Sequence, residues 1–440
     1  MTIKATTKAL LGTAVSFALL GTAGMANAAD LDNLSDDDLL KRIERLEKII
    51  GPGENNAVRN GNDKVRLTLS GQVNRLAVGF GDGDSFEVRN ADNTTSSTRF
   101  RLLGAAKLDD NWSAGTNFEI EVTAENSLQT LQDQVANPNA LSGDSLLDVR
   151  RAALFVKHKT LGQLLIGQFQ TASDFSFHND LSGTFISGYS EVHLIGGGTV
   201  FRLDDGDNNL TTINISDVTT GAGFDGGSRD DVIRYDTASF GGFKGKASFT
   251  NGDEYAFDLG YRSKDLAGFS VAANIAYTNF GNSTRDLVSG SASAVHNATG
   301  LNATFSYGDD NQDNTAYYGK LGWKKKLTSL GSSNFVFEAG FFENQNAANA
   351  EAILADDATS AAITDTDPDT DGIQPGGNVD FLIDQAFESE ATVLGVAYVQ
   401  QIDALALEAF VAYRNFSLDD IEGQGFDDVN TITVGGRIKF

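Results

Sequence analysis

The sequence predicts an all-β protein: an antiparallel transmembrane β-barrel of about sixteen strands, preceded by a short N-terminal helix. Apolar and polar residues alternate with period two from Val65 to the C-terminus, and the chain ends within such a segment, on Phe440. A strand places successive side chains on opposite faces, so each segment has one apolar and one polar face. An edge strand of a soluble sandwich explains one such segment, but the repetition along the chain favours a barrel.

The N-terminus has the pattern of a secretory signal peptide. Lys4 and Lys8 precede an apolar stretch over residues 9–24, and Ala26-Asn27-Ala28 forms a small-x-small cleavage site. We therefore assign residues 1–28 to a signal peptide and exclude them from the fold. No later stretch is apolar for long enough to span a bilayer as a helix, so the mature chain is either exported and soluble or inserted as a barrel.

Residues 29–64 are predicted to form a periplasmic helical segment and linker. Ser35 can cap a helix over 35–50, and Gly51-Pro52-Gly53 ends it. Its apolar residues step by four, three and four positions: Leu39, Ile43, Leu46 and Ile50. This spacing is typical of a coiled coil, although the segment is only about two heptads long. Two interpretations stay open, a short coil beneath an oligomer of barrels and a solvated tether.

The barrel itself is predicted over residues 65–440. Its clearest alternating segments lie near 65–73, 112–122, 243–249, 255–262, 269–278, 301–307, 317–324, 335–341, 405–414 and 431–440. Less regular segments lie near 98–107, 147–158, 163–170, 230–236, 290–297 and 391–401. All four prolines fall outside these segments, as an uninterrupted strand ladder requires. Together the segments give about sixteen strands, enough to enclose water.

The connections between these segments alternate in length. Tight turns are predicted near 109–111, 159–162, 239–241, 264–268, 298–300, 329–332 and 403. Long acidic connections rich in Gly and Asn are predicted at 81–97, 124–146, 171–229, 281–289, 343–390 and 417–427. Short turns at one end and long loops at the other are typical of outer-membrane barrels, whose long loops lie outside the cell.

Composition excludes several classes of function. The chain has 33 Lys+Arg against 60 Asp+Glu, a net charge of −27, which argues against nucleic acid as a partner. It has no cysteine, so disulfides and thiolate metal sites are excluded. The four histidines show no H-E-x-x-H spacing, and no G-x-S-x-G or P-loop motif occurs, so we predict no enzymatic activity. His178 and His193 lie near Asp174 and Asp180 as an outer-membrane hydrolase would need, but polar loop residues are the simpler interpretation.

One long loop contains a calcium-like spacing. Asp367, Asp369 and Asp371 precede Gly372 in a D-x-D-x-D-G pattern, which can place three carboxylates around one hard cation. The twelfth position is Asn378 instead of the bidentate Glu of an EF-hand. No cofactor is required. Two interpretations stay open. The acidic external loops bind Ca²⁺ or Mg²⁺, which they could share with lipopolysaccharide phosphates, or they are simply solvated acidic loops.

Over residues 65–440 the chain resembles the Gram-negative outer-membrane general porins, closest to those of alphaproteobacteria. The resemblance rests on the order and spacing of several motifs: Ser70-Gly71-Gln72-Val73-Asn74-Arg75, Ser97-Thr98-Arg99-Phe100-Arg101, Arg150-Arg151-Ala152-Ala153, Leu165-Ile166-Gly167-Gln168 and Phe440. It implies a homotrimer in the outer membrane, each barrel forming a water-filled channel for passive diffusion of small hydrophilic solutes and ions. It also implies that the third long loop folds inward and narrows the pore.

An alternative within transport is a substrate-selective channel for a sugar or an organic acid. Aromatic residues of the third long loop would then bind the solute: Phe175, Phe177, Phe185 and Tyr189. The sequence identifies neither the solute nor the pore size.

The resemblance also implies a constriction in which loop carboxylates face arginines on the barrel wall. The wall residues assigned to it are Arg99, Arg101, Glu119, Glu121 and Arg150, and the loop residues are Asp174, Asp180 and Glu191. Gln168 stands where general porins often have an arginine at the end of strand five. The polar wall is net basic and most of the acid lies in external loops, from which we expect a weak cation preference.

Overall fold

The computed structural model describes residues 57–59, 64–130, 147–204, 210–220, 223–281, 283–347, 351–352, 381–382, 387–421 and 423–440. The predicted signal peptide, the helix over 35–50 and the Asp367, Asp369 and Asp371 motif lie outside these residues. The chain divides into two units, Met1–Ala57 and Val58–Phe440, and the second contains the barrel.

Antiparallel strands dominate the described residues. They are β1 Ala57–Arg59, β2 Arg66–Gly81, β3 Phe86–Asp92, β4 Arg99–Lys107, β5 Trp112–Val122, β6 Leu147–His158, β7 Gly162–Gln170, β8 Val200–Arg202, β9 Leu210–Asn214, β10 Arg229–Asp236, β11 Phe243–Thr250, β12 Tyr255–Leu266, β13 Phe269–Asn279, β14 Asp286–His296, β15 Leu301–Asp310, β16 Thr315–Thr328, β17 Gly331–Ala347, β18 Glu351–Ala352, β19 Phe381–Leu382, β20 Phe387–Ile402, β21 Leu407–Leu418 and β22 Val429–Lys439. One α-helix, α1 Ile215–Thr220, is described, with 3₁₀ turns at Thr94–Ser96, Ser127–Gln129, Val192–Leu194 and Asp403–Leu405.

The sheet closes between its last strand and β2. Strand β22 pairs with β2 from Gln72↔Lys439 to Gly81↔Asn430, and the other edge of β22 pairs with β21. Strands β3 and β4 both pair with β2, through Gly81↔Phe86 and Gln72↔Arg99, so they are two halves of one barrel strand. Counted in this way, and without β1 and the short loop strands β8, β9, β18 and β19, the wall has sixteen strands, as predicted.

The two faces of the wall differ as the alternation predicts. On β22, Ile432 and Val434 are 47% and 55% exposed on the outer face, whereas the inward Thr431 and Thr433 are buried. Phe440 closes the seam, because its N–H donates to the Gly71 carbonyl (3.0 Å) and its carbonyl accepts from the Gly71 N–H (2.8 Å). No helix among the described residues is long and apolar enough to cross a membrane.

The prediction of a long loop at 81–97 is wrong. A tight turn at 82–85 leads directly into β3, whose Phe86 and Val88 lie on the outer face, 61% and 59% exposed. The many Asp, Asn and Gly residues around this short strand concealed its period-two pattern. Apart from this turn, the non-strand residues are 93–98, which interrupt the wall between β3 and β4.

The third long connection, residues 171–228, folds into the barrel as predicted. The Asn179 N–H donates to Ser291 Oγ on β14, and Lys320 Nζ on β16 lies 2.7 Å from Asp180. Arg414 on β21 donates to the carbonyls of Tyr189 and Val192, both at 2.9 Å. These contacts attach this inward loop to the wall from β14 to β21.

The inward loop is also held from the opposite side of the barrel. Asn93 Nδ2 and Thr95 Oγ1, in the interruption between β3 and β4, donate to the carbonyl of Ile186 at 2.8 and 3.1 Å. Ser127, in the connection after β5, donates to the Leu194 carbonyl at 2.6 Å. The loop therefore spans the barrel interior between two supports.

Apolar packing inside the barrel supplies the rest of the attachment. Loop residues and inward wall residues share one buried cluster: Phe177, Val192, Phe201, Ile213, Ile215, Val218 and Phe224 from the loop, and Leu287, Tyr318, Phe342, Val393 and Phe416 among those from the wall. Since burial of apolar surface is the main stabilising term in folding, this cluster explains why the loop stays inside.

We predict that Gly71→Ala weakens closure of the barrel. A Cβ at Gly71 would lie 2.5 Å from the Phe440 ring and 2.8 Å from the Arg99 carbonyl, so ring and backbone must shift. We expect a loss of about 1–3 kcal/mol, typical of overpacking, measured as a lower temperature for the heat-induced mobility shift of the folded chain on a gel. Gly319→Ala on β16 is the control, because its nearest atom there is the Thr304 carbonyl oxygen at 3.7 Å. Equal effects of the two substitutions would contradict the prediction.

Candidate functional site

The inward loop covers one side of the barrel interior and leaves the other side partly open. Inward side chains beneath the loop are buried, among them Lys320 on β16 and Arg414 on β21, whose side chains are 1% and 3% exposed. Other inward side chains keep more exposure, with Arg101 on β4 at 35% and Lys244 on β11 at 44%. We therefore expect the aqueous path through the barrel to pass these exposed residues.

Four arginines surround one buried glutamate on this open wall. Glu119 on β5 is 0% exposed. Its carboxylate lies 3.3 Å from Arg99 Nη1, 2.6 Å from Arg101 Nε, 3.1 Å from Arg150 Nε and 3.3 Å from Arg151 Nη1. A buried carboxylate requires paired charges, and here the charge on each oxygen is shared between two cations. We call Glu119 and these four residues the arginine cluster.

A β-bulge brings the fourth arginine into the cluster. Glu119 faces Arg151 and Ile120 faces Val149, so Arg150 is an extra residue in β6. Strict alternation would send two consecutive residues to opposite faces, but a bulge re-aims one of them. Both guanidinium groups consequently point inward, and Arg150 also pairs with Glu121. Arg151 was absent from the residues assigned from sequence, since period-two reasoning cannot locate a bulge.

Next to the arginine cluster, an aromatic ring on β7 lies between two cations. The guanidinium carbons of Arg151 and Arg234 lie 5.0 and 5.7 Å from the centre of the Phe169 ring, within cation–π range. Gln168, compared in the sequence analysis with a porin arginine, belongs to the outer row, because Leu164 and Ile166 in that row are 44% and 52% exposed. The expectation that Gln168 takes the place of a pore-lining arginine is therefore wrong.

On the inward loop, a second charged group forms around a fully buried histidine. His178 Nε2 lies 2.8 Å from Asp225 Oδ2 and 3.4 Å from Glu191 Oε2. Its ring stacks on Tyr189 with centroids 4.3 Å apart. Burial by itself would lower the pKa of His178, but the charges of Asp225 and Glu191 raise it to about 10.

Asp174 lies against the same group. It is 8% exposed, and its Oδ2 has no hydrogen-bond partner. Burial, followed by repulsion from Asp225, raises the pKa of Asp174 to about 8. Burial lowers the pKa of the nearby His193 to about 4, so this second histidine is neutral at pH 7.

The structure thus brings the sequence-assigned residues together in two groups and leaves one apart. Arg99, Arg101, Glu119, Glu121 and Arg150 meet on the wall, whereas Asp174 and Glu191 meet around His178 on the loop. Asp180 differs from its assignment, because it forms a buried ion pair with Lys320 in which its side chain is only 7% exposed. It anchors the loop to β16 and does not face an open path. His178 and Asp225 are 47 residues apart in sequence, so no local spacing could have joined them.

The whole chain is similar to known outer-membrane channels. The family model for Gram-negative porins matches residues 13–437. Among solved structures, the anion-selective porin from Comamonas acidovorans is similar with 14% identity and a TM-score of 0.49, over 86% of this chain and 100% of that one. The outer-membrane channel DcaP of Acinetobacter baumannii is similar with 12% identity and a TM-score of 0.49, over 87% and 100%. OmpF of Salmonella typhi, solved with daunomycin, has 13% identity and a TM-score of 0.46, over 87% and 100%. No curated protein matches the sequence.

We predict that Glu119→Gln destabilises the folded chain. The substitution leaves four guanidinium groups with little compensation in a confined site, and breaking a buried ion pair from one side typically costs about 3–5 kcal/mol. Because the arginines keep some contact with water, we expect about 2 kcal/mol, measured as a lower urea midpoint in detergent. Glu121→Gln is the matched control, since Glu121 pairs only with Arg150 among the ion pairs of the described residues. A smaller loss for Glu119→Gln than for Glu121→Gln would contradict this.

Proposed function

The chain belongs to the Gram-negative porin family, and from that membership we propose that its arginine cluster governs which ions pass. As a member of this family it forms a water-filled channel in the outer membrane for passive diffusion of small hydrophilic solutes and ions. The observation that supports a selective role is the position of the cluster on the open side of the barrel, where Arg101 keeps 35% of its side chain exposed.

The local charge at the cluster is positive. Arg99, Arg101, Arg150 and Arg151 contribute four positive charges against two from Glu119 and Glu121, which leaves a formal +2. Charges on the walls of a narrow water-filled path bordered by low-dielectric protein act strongly on permeating ions. The cluster thus attracts anions and opposes cations at this level of the channel.

The external rim carries charge of the opposite sign. Burial, followed by the charges of Asp204 and Asp428, raises the pKa of Asp427. Burial, followed by Asp230, raises the pKa of Glu254 to about 7. Both carboxylates thus lie close to other acidic groups, at the ends of strands facing the long loops. In our proposal these acids and the net charge of −27 give the channel a weak cation preference, which the arginine cluster limits.

We predict that Arg101→Ser increases the permeability ratio of K⁺ to Cl⁻ by about fivefold, because one unit charge acting across roughly 8 Å of water changes the energy of each ion by about 0.5 kcal/mol, in opposite directions for K⁺ and Cl⁻. The measurement is the reversal potential across a KCl gradient in a planar bilayer. Lys325→Ser is the control, since Lys325 lies in the outward row near the tight turns and is exposed. An unchanged ratio for Arg101→Ser would contradict the role of the cluster.

Rim acids act over a Debye length, so the cation preference should also fall between 0.1 and 1 M KCl, where that length drops from about 10 to about 3 Å.

The arrangement of the loop aromatics favours a general channel over a substrate-selective one. Phe177 and Tyr189 are 1% and 5% exposed and pack within the loop, so neither offers a face to a solute. Phe185 packs against the buried cluster around Leu76 and Ile186. Of the four aromatics considered for solute binding, Phe175 alone is well exposed, at 41%. One ring is a weak stacking platform, so we do not expect saturable block by a sugar.

We further propose that the channel performs no chemistry on its solutes. The family is one of channels, and the two loop histidines make structural contacts: His178 is paired with carboxylates, and His193 is buried. Ester, peptide and phosphate substrates enclosed with the reconstituted chain should remain unhydrolysed.

A homotrimer, as the porin resemblance implies, is supported by a polar position on the outer wall. Arg75 on β2 lies in the outward row, 36% exposed, with its Nη1 2.7 Å from Asp92 at the end of β3. Charged groups facing lipid are costly, whereas the same pair facing another subunit stays hydrated or paired. Three other outward positions on β2 are small, namely Gly71, Ala77 and Gly79. We therefore propose that the wall formed by β2–β4 faces the other subunits.

We predict that Arg75→Glu lowers the stability of the trimer by placing two carboxylates together on that face. The trimer band on a semi-native gel should disappear at a temperature at least 10 °C lower than in the unsubstituted chain, while the folded-monomer band persists. Arg75→Lys, which keeps the charge, is the control. Loss of the folded monomer together with the trimer would show instead that Arg75 supports the barrel itself.

We also propose that Ca²⁺ or Mg²⁺ links the acidic external loops to lipopolysaccharide phosphates. Crowded carboxylates at the rim, such as Asp427 beside Asp204, support this, because hard cations prefer several oxygen ligands. The Asp367, Asp369 and Asp371 motif belongs to the same proposal. Chelation with EDTA should release lipopolysaccharide that co-purifies with the chain.

A further inference from the structure

Three separated segments of the inward loop meet at His178. The ring nitrogen Nε2 of His178 and one carboxylate oxygen each of Glu191 and Asp225 all lie within 4.8 Å of one another. Glu191 is 13 residues beyond His178 in sequence, and Asp225 is 34 residues beyond Glu191. Channel function requires no such convergence, since the loop is already held by Lys320, Arg414 and its apolar cluster.

A hydrogen-bond relay determines which nitrogen of His178 faces the carboxylates. Ser190 Oγ lies 2.9 Å from the Phe177 carbonyl, to which it donates its only proton. The same oxygen lies 2.6 Å from His178 Nδ1, so it accepts the Nδ1 proton. With Nδ1 protonated, a neutral ring presents the Nε2 lone pair to Glu191 and Asp225. Metal-binding histidines are commonly oriented by such a partner on the other ring nitrogen.

The carboxylate of Asp225 is fixed by groups other than His178. Nε2 approaches Asp225 Oδ2 to 2.8 Å, yet it makes no hydrogen bond of acceptable alignment. The backbone N–H groups of Phe175 and Phe177 each donate to the Asp225 carboxylate at 3.2 Å, which fixes its position. Asp174, more than nine-tenths buried beside Asp225, has an oxygen without any hydrogen-bond partner.

We propose that His178, Glu191 and Asp225, with Asp174 as a fourth donor, form a binding site for a divalent transition-metal ion of the Zn²⁺ type within the inward loop. One imidazole and several carboxylates make a mixed nitrogen and oxygen donor set. Imidazole suits Zn²⁺ and its neighbours, whereas Ca²⁺ and Mg²⁺ prefer oxygen alone.

The spacing of the donor atoms fits such an ion. In a tetrahedral zinc site with bonds of about 2.0–2.1 Å, neighbouring ligand atoms lie about 3.3 Å apart. The distance from Nε2 to Glu191 Oε2 is 3.4 Å and that to Asp225 Oδ2 is 2.8 Å. These two distances bracket the tetrahedral value, and all three donor atoms lie within 4.8 Å of one another. Glu191 and Asp225 are 23% and 15% exposed, so an ion can reach them from solvent.

Charge balance also favours a doubly charged ion. Without a metal, His178 is the one basic side chain that forms an ion pair with Glu191 and Asp225 among the described residues, and Asp174 lies beside them. Arg229 contributes a more distant positive charge. On binding, the ion displaces the Nε2 proton of His178 to solvent and leaves Nδ1–H on Ser190. Competition from that proton weakens the site, so we expect a Kd in the micromolar range at pH 7.5.

A bound ion would connect the beginning, middle and end of the inward loop. Asp174 and His178 lie just after β7, and Asp225 lies just before β10. One ion would therefore join the two ends of the inward loop. This proposal goes beyond passive diffusion. Ion binding can be measured on the solubilised chain without any conductance assay.

The test is a Zn²⁺ titration of the untagged, refolded full-length chain in detergent at pH 7.5, measured by isothermal titration calorimetry. The buffer contains 5 mM Ca²⁺ to occupy any loop sites that offer only oxygen ligands. We expect one Zn²⁺ per chain. His178→Gln and Asp225→Asn should each weaken binding at least 30-fold. Asp225→Asn is nearly isosteric, and heat-modifiable mobility on a gel checks that each variant is folded.

His296→Gln is the matched control, because His296 lies near a tight turn and its side chain bonds only to Thr299 among the described side-chain hydrogen bonds. Its Zn²⁺ affinity should equal that of the unsubstituted chain. Zinc X-ray absorption should show one imidazole and two or three oxygen ligands at about 2.0–2.1 Å. The proposal is overturned if folded chain binds no stoichiometric Zn²⁺, if both site variants bind as tightly as the control, or if the spectrum lacks imidazole.

Discussion

The structure depends on one requirement of the lipid environment, that every backbone N–H and C=O in the wall must find a partner within the protein. An open sheet would leave two unpaired edges in hydrocarbon. Pairing of β22 with β2 removes both edges, and the reciprocal bonds between Gly71 and Phe440 extend the pairing to the last residue of the chain. Once the ring closes, one face of every strand meets lipid and the other meets a shared interior. The alternation in the sequence is the direct consequence.

Closure creates an interior too wide for wall side chains to fill, and the chain uses one loop to divide it. On the covered side the loop is attached through buried charges as well as apolar contacts. Arg414 joins Glu338 on the wall to two loop carbonyls, and Lys320 joins Asp180. Each of these cations is fully paired, as burial requires. On the uncovered side the arginine cluster keeps partial contact with water. Basic side chains thus attach the loop to one wall and contact solutes on the other.

The sequence predicted the barrel well because period-two patterning, tight turns and a terminal aromatic are local signals. It predicted Arg99, Arg101, Glu119 and Arg150 on the inner face for the same reason. It missed β3, whose seven residues lie among turn-forming Asp and Gly, and it missed Arg151, because a bulge breaks the alternation that every other assignment used. The error at Gln168 has a related cause, since a motif comparison ignored the parity of Leu164 and Ile166. The group around His178 was beyond reach, because loop folding and not spacing brings Asp225 to it.

The two-sided attachment of the inward loop has a mechanical consequence. Ile186 and Leu194 are bonded to the interruption after β3 and to the connection after β5, while Asn179 and the Tyr189 carbonyl are tied to the far wall. A loop attached on one side only could swing within the barrel, whereas a loop attached on both sides resists displacement along its whole length. The aperture beside the loop should therefore keep a constant width under voltage or during passage of a solute, so that the channel selects by a fixed size and is not gated by this loop.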